Sequence, residues 1–200
     1  MRKKSHFSLV QYLMNSVGME ELREHKTALY IGSILPDCTP SFITRKHSIE
    51  ETFELLRTEI NKITVHYNAN EGISNYYCRH LGIITHYIAD YFTYPHNSIF
   101  AGSLKEHCIY ENDLKKAFRT FVKSDEAKKV REKNATFYSV DDICSLIHTM
   151  HEEYLKVKKE VRQDCIYIVE LCYRVVDAIL CFLELTIKKS HTNTIPVTVS

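Results

Sequence analysis

The 200-residue chain has no tryptophan, only five glycines and four prolines, and no two cysteines spaced as C-x2-C. Scarce glycine and proline leave few tight turns, which argues against the many hairpins of an all-β protein and for long helices. The seven cysteines, at 38, 78, 108, 144, 165, 172 and 181, are odd in number and scattered. That pattern suits reduced, buried thiols better than a disulfide framework or a cysteine zinc site. An excess of either charge is also lacking: the formal net charge is +1, so no large electrostatic surface and no stable nucleic-acid partner are expected. The N-terminus Met1-Arg2-Lys3-Lys4-Ser5-His6 lacks the apolar run and cleavage site of a secretory signal, and the expected location is cytoplasmic. Residues 165–188 are apolar, but Glu170, Asp177 and Glu184 recur every seven residues with Arg174 beside them. This is a solvent stripe on a core helix, not a transmembrane segment.

What is present is enough apolar material for one core, since 44% of the residues are hydrophobic. The expectation is an all-α fold: a single compact multi-helix domain over 1–189, then a loose tail over 190–200. Apolar periodicity predicts helices near 5–17, 19–31, 48–67, 72–93, 103–123, 139–158 and 161–188. Pro36 and Pro40 predict an extended, constrained loop over 32–40 that carries Asp37. Helix 72–93 is apolar nearly all round, so His86 and Asp90 are ionisable groups inside the protein, costly unless paired or bound to metal. Gly82, one turn before His86, leaves room for another backbone or a ligand.

The chemistry concentrates at residues 85–97, where His86, Asp90 and His96 stand as H-x3-D-x5-H. Residues four apart share a helix face, so His86 and Asp90 can close on one ion, and Pro95 turns the chain to present His96 separately. His107 and Glu111 repeat the spacing. With His6, Asp37 and His47 upstream, the candidates are five imidazoles and three carboxylates. Imidazole and carboxylate without thiolate suit catalytic zinc with positions left open for water.

The order H…PD…H…H-x3-D-x5-H…H-x3-E, in residues 1–125, resembles the zinc-dependent phospholipase C family and, more distantly, the single-strand-specific zinc nucleases. The resemblance implies an all-α fold with up to three zinc ions in a cleft. Asp37, His47, His86 and Asp90 would hold the first; Met1 through its amino and carbonyl groups, His6 and Asp90 the second; and His96, His107 and Glu111 the third. Asp37 and Asp90 are the implied catalytic residues, Asp37 orienting or deprotonating the attacking water and Asp90 bridging the first two ions. Family members begin, after processing, with a tryptophan that ligates zinc, and here Met1 stands at a similar distance before His6. In the choline-lipid enzymes an aromatic follows the loop aspartate; here Cys38 does, so an aromatic choline cage is not expected. The implied activity is hydrolysis of a phosphodiester, phospholipids included, by metal-activated water. A zinc nuclease or nucleotide phosphatase, and a non-catalytic metal-binding domain, are the alternatives.

The remaining candidates have plainer readings. His148, His151 and Glu152 read as a solvated helix face. The tyrosines around 76–77 and 91–94 read as core and cleft lining. The basic residues Lys115, Lys116, Arg119, Lys123, Lys128, Lys129, Arg131 and Lys133 read as a solvated surface.

Overall fold

The computed structural model describes residues 1–18, 20–38, 46–130 and 139–192, with side chains to residue 188. Pro40, Arg131, Lys133 and residues 193–200 lie outside the described residues. The described residues form nine α-helices and no strand: α1 Lys3–Ser16, α2 Glu20–Glu24, α3 Lys26–Ile34, α4 Ile49–Lys62, α5 Asn75–Tyr91, α6 Leu104–Phe121, α7 Asp125–Val130, α8 Val140–Lys156 and α9 Val161–Thr192. Short 3-10 turns stand at Leu35–Asp37, Ala69–Glu71 and Tyr94–His96. The all-α expectation holds. Among the described residues no helix is long and apolar enough to cross a membrane.

Helix α5 is the central element, with every residue from His80 to Tyr91 buried. Its start is set by Ser74, whose hydroxyl accepts the Tyr77 N–H, after Gly72 has turned the chain at φ 59°. Helix α3 packs most closely against it, and the contact is made by glycines. A Cβ on Gly82 would meet the Leu29 carbonyl oxygen at 2.4 Å, and one on Gly32 would meet that of Arg79 at 2.0 Å. The two backbones touch where a side chain would hold them apart, which brings the end of α3, and hence Asp37, beside His86. Helix α6 opens on a capping box in which Ser103 and Glu106 satisfy each other's backbone donors.

Several expectations need correction. The segment predicted over 19–31 breaks at His25 into α2 and α3, and α3 runs on through Gly32 and Ser33. Residues 35–37 are a 3-10 turn, not extended chain: Leu35 is helical at φ −58°, ψ −41° although Pro36 follows. Helix α7 was not foreseen. Helix α9 continues to Thr192. Glu170 is buried beside Arg174, while Asp177 and Glu184 do face solvent. Cys38, Cys108 and Cys181 are exposed and the other four cysteines buried, all as free thiols. His148 is exposed, but His151 is buried and its Nε2 lies 2.7 Å from Asn97 Oδ1.

Candidate metal centre

Six stretches of chain converge around Asp90. Helix α5 supplies His86 and Asp90 one turn apart, the Leu35–Asp37 turn supplies Asp37, and His47 stands two residues before α4. The start of the chain supplies Met1 and His6, and the Tyr94–His96 turn with α6 supplies His96, His107 and Glu111. All nine residues singled out in the sequence are drawn together.

One group is built from His47 Nδ1, His86 Nε2, Asp37 Oδ1 and Asp90 Oδ2. His47 Nδ1 lies 2.9 Å from Asp90 Oδ2, 3.1 Å from His86 Nε2 and 3.7 Å from Asp37 Oδ1. His86 Nε2 lies 3.2 Å from Asp90 Oδ2 and 3.7 Å from Asp37 Oδ1. A second set surrounds the other oxygen of Asp90: the Met1 amino group at 2.5 Å and His6 Nε2 at 3.5 Å, with His6 Nε2 also 3.2 Å from the Met1 carbonyl oxygen. A third has Glu111 Oε1 at 3.3 Å from His96 Nε2 and 3.4 Å from His107 Nε2. The Met1 amine touches this set too, 3.1 Å from His96 Nε2 and 3.2 Å from Glu111 Oε1.

These residues fit metal ions. Ligands about 2.0–2.1 Å from a tetrahedral zinc stand about 3.3 Å apart, the spacing seen in the first and third groups. Proton placement argues the same way. His86 Nδ1 is 2.8 Å from the Ser33 carbonyl, which only accepts, so Nδ1 carries a proton. With Nδ1 protonated, the His86 Nε2 lone pair faces two carboxylates and the Nδ1 of His47, an arrangement that a metal cation, or a proton on His47, would satisfy. The Ser33 carbonyl fixes the ring as an outer-shell partner does in metal sites. His6 Nδ1 is buried with no hydrogen-bond partner among the described residues.

The charges are strongly coupled. Burial works against the charge of the Met1 amine, but Asp90, then Glu111, outweigh it and its pKa rises. Burial would raise the pKa of Asp90, yet the Met1 ammonium, His96, His86 and the His47 hydrogen bond hold it well below the usual carboxylate range. Glu111 is likewise brought down to about 2, against the pull of burial, by His96 and Met1. Burial lowers His6 to about 4 and, with the Met1 ammonium, lowers His96. For His47, Asp90 outweighs burial and raises the pKa.

The site opens into a cleft of about 540 Å³ whose lining includes Lys46, His47, Glu50, His96, Phe100 and His107. Another groove, about 590 Å³ between α1, α6 and α7, is lined by Phe7, Gln11, Arg119 and Lys123 among others, with no histidine or carboxylate among the described residues that line it. Sequence reasoning missed the outer partners: the Ser33 carbonyl, Asn97, and Asp164, a buried carboxylate behind the Tyr94–His96 turn. Asn97, directly after His96, was the one with a visible signal.

No curated protein and no solved structure matches this chain. The histidines and carboxylates gathered around Asp90 do lie in a stretch with a known pattern: the profile of zinc-dependent phospholipase C matches residues 5–160, and the chain belongs to that family.

Proposed function

We propose that this protein is a zinc-dependent phosphodiester hydrolase of the phospholipase C type, acting on a phospholipid. The observation that carries the reading is Asp90, fully buried and shared between two donor sets. One of its oxygens faces His47 and His86, the other faces Met1 and His6. In this reading Asp37, His47, His86 and Asp90 hold one zinc, Met1, His6 and Asp90 a second, and His96, His107 and Glu111 a third. Zinc bound there would bring the pKa of a water towards neutrality and neutralise charge on the phosphoryl group.

The chain's own groups do the rest. Asp37 is the most exposed carboxylate around Asp90, with a side chain 26% exposed, and is the group to orient the attacking water and accept its proton. Asp90 keeps His47 and His86 aimed at one point. Lys46 in the cleft lining is offset by Glu50 and Glu51 beside it, so attraction for an anionic substrate would come from the bound zinc. Ile99 and Leu104, 44% and 79% exposed, flank the cleft residues Ser98, Phe100 and His107 in the sequence. Apolar side chains there suit the acyl part of a lipid.

The test is to measure zinc per chain together with hydrolysis of phospholipid vesicles, a soluble phosphodiester and single-stranded DNA. Zinc binding with fastest turnover on phospholipid is expected. Preference for DNA would replace this reading with a nuclease, and a zinc-loaded protein that cleaves nothing would leave a non-catalytic metal-binding domain.

A further inference from the structure

We infer that Asp164 is a positioning residue that holds the His96–His107–Glu111 group together from behind. It lies in the first turn of α9 with no solvent exposure, just past residues 5–160 that match the family. A buried carboxylate must be paired or fully hydrogen-bonded to be tolerated. Asp164 is satisfied by three donors from three elements. Its Oδ2 accepts the backbone N–H of Tyr94 at 3.0 Å and the hydroxyl of Tyr110 at 2.9 Å, and its Oδ1 accepts the hydroxyl of Tyr154 at 2.8 Å.

Two of these donors sit on the pieces that carry the candidate ligands. Tyr94 opens the turn that ends on His96, and Tyr110 directly precedes Glu111 and lies three residues after His107. One carboxylate oxygen therefore clamps the His96 turn to α6. The rings continue the link: Tyr94 meets Tyr110 and Phe100 edge-on with centroids 5.6 Å and 5.2 Å away, and Phe100 meets His107 edge-on at 6.1 Å. On the other side Asn97 donates to the carbonyls of Tyr91 and Thr93, fixing the same turn to the end of α5. Tyr154 belongs to α8, which bears no candidate ligand, so its bond contributes to packing and not to the spacing of ligands. Two imidazoles and a carboxylate from two separate elements keep a metal-binding spacing only if those elements are fixed to each other.

This inference rests on the metal reading of His96, His107 and Glu111, so its test reads metal affinity and not activity. Zinc affinities of the full chain would be measured by competition with a chromophoric chelator, and the ligand field of the cobalt-substituted protein by its visible spectrum. Four proteins are compared: wild type, Asp164→Asn, Tyr110→Phe and Tyr154→Phe. Asp164→Asn turns an amide N–H towards a donor, and Tyr110→Phe removes one clamp bond while leaving the core filled. Both should weaken one zinc of the set by about 10–100-fold, the range typical of lost outer-shell partners, and alter its cobalt band while the other sites keep theirs. Tyr154→Phe should lower the melting temperature and leave every affinity unchanged. Should Asp164→Asn not fold, Tyr110→Phe decides the matter. If Tyr110→Phe binds every zinc as wild type does, or Tyr154→Phe weakens the same zinc equally, the positioning role is overturned. A wild-type chain with no zinc at this group overturns the metal reading itself.

Discussion

A carboxylate with no access to water stays ionised only because of what surrounds it, and Asp90 has an ammonium at 2.5 Å on one oxygen and an imidazole at 2.9 Å on the other. Asp90→Asn keeps the shape and deletes the charge. The Met1 ammonium would then be buried without its nearest counter-ion, and removing one partner of such a pair costs about 3–5 kcal/mol. The metal-free variant should unfold at lower denaturant concentration, take up less zinc and lose at least about a hundredfold in hydrolysis. Retained zinc together with retained activity would contradict the shared role of Asp90. At this scale the sequence was legible where chemistry is local: His86 and Asp90, like His107 and Glu111, announce themselves by a spacing of four on a helix. It was silent where partners come from afar. Nothing in the sequence pairs Asp164 with Tyr94, and the Ser33 carbonyl that sets the His86 tautomer is a backbone atom with no residue type to read.

Helices positioned by glycine contacts make the site sensitive to a single methyl group. A Cβ on Gly82 would stand 2.4 Å from the Leu29 carbonyl and 2.7 Å from the Ser33 nitrogen, both backbone atoms that cannot rotate away. Gly82→Ala must therefore push α3 from α5, although alanine is the better helix former. The expected cost is about 1–3 kcal/mol, as for other overpacked cores, read as a shifted denaturation midpoint. Because Asp37 follows α3 and His86 lies on α5, the variant should also bind zinc more weakly at the proposed Asp37–His47–His86–Asp90 site. Wild-type stability in Gly82→Ala would show that the close approach is dispensable. The apolar period made most helices legible, and Gly82 was readable as a place of close approach. The break at His25 and the six-residue α7 were not, since short helices carry too little periodicity. The Leu35–Asp37 turn was misread because the general bias of a residue before proline towards extended backbone was overridden by local closure, in which the Cys38 N–H reaches the Leu35 carbonyl at 2.9 Å.

For the whole molecule, a formal charge of +1 gives little long-range attraction to an anionic lipid surface, so under the proposed activity on phospholipid, productive contact with a membrane would have to come from local features around the cleft. Ile99 and Leu104 are exposed apolar side chains close in sequence to its lining. Neither is a candidate ligand, which separates the proposed lipid contact from chemistry. Burying one such side chain contributes about 1.5–3 kcal/mol, so replacing both by serine should reduce kcat/KM on phospholipid vesicles by at least about tenfold. On a soluble short-chain phosphodiester, where no surface is met, the doubly substituted protein should match wild type. Equal losses on both substrates would place these residues in the folding or chemistry of the site, and no loss on vesicles would mean that the lipid is met elsewhere. The comparison needs vesicles and soluble substrate assayed at the same zinc occupancy, because only then does the ratio of the two rates report the surface and not the metal.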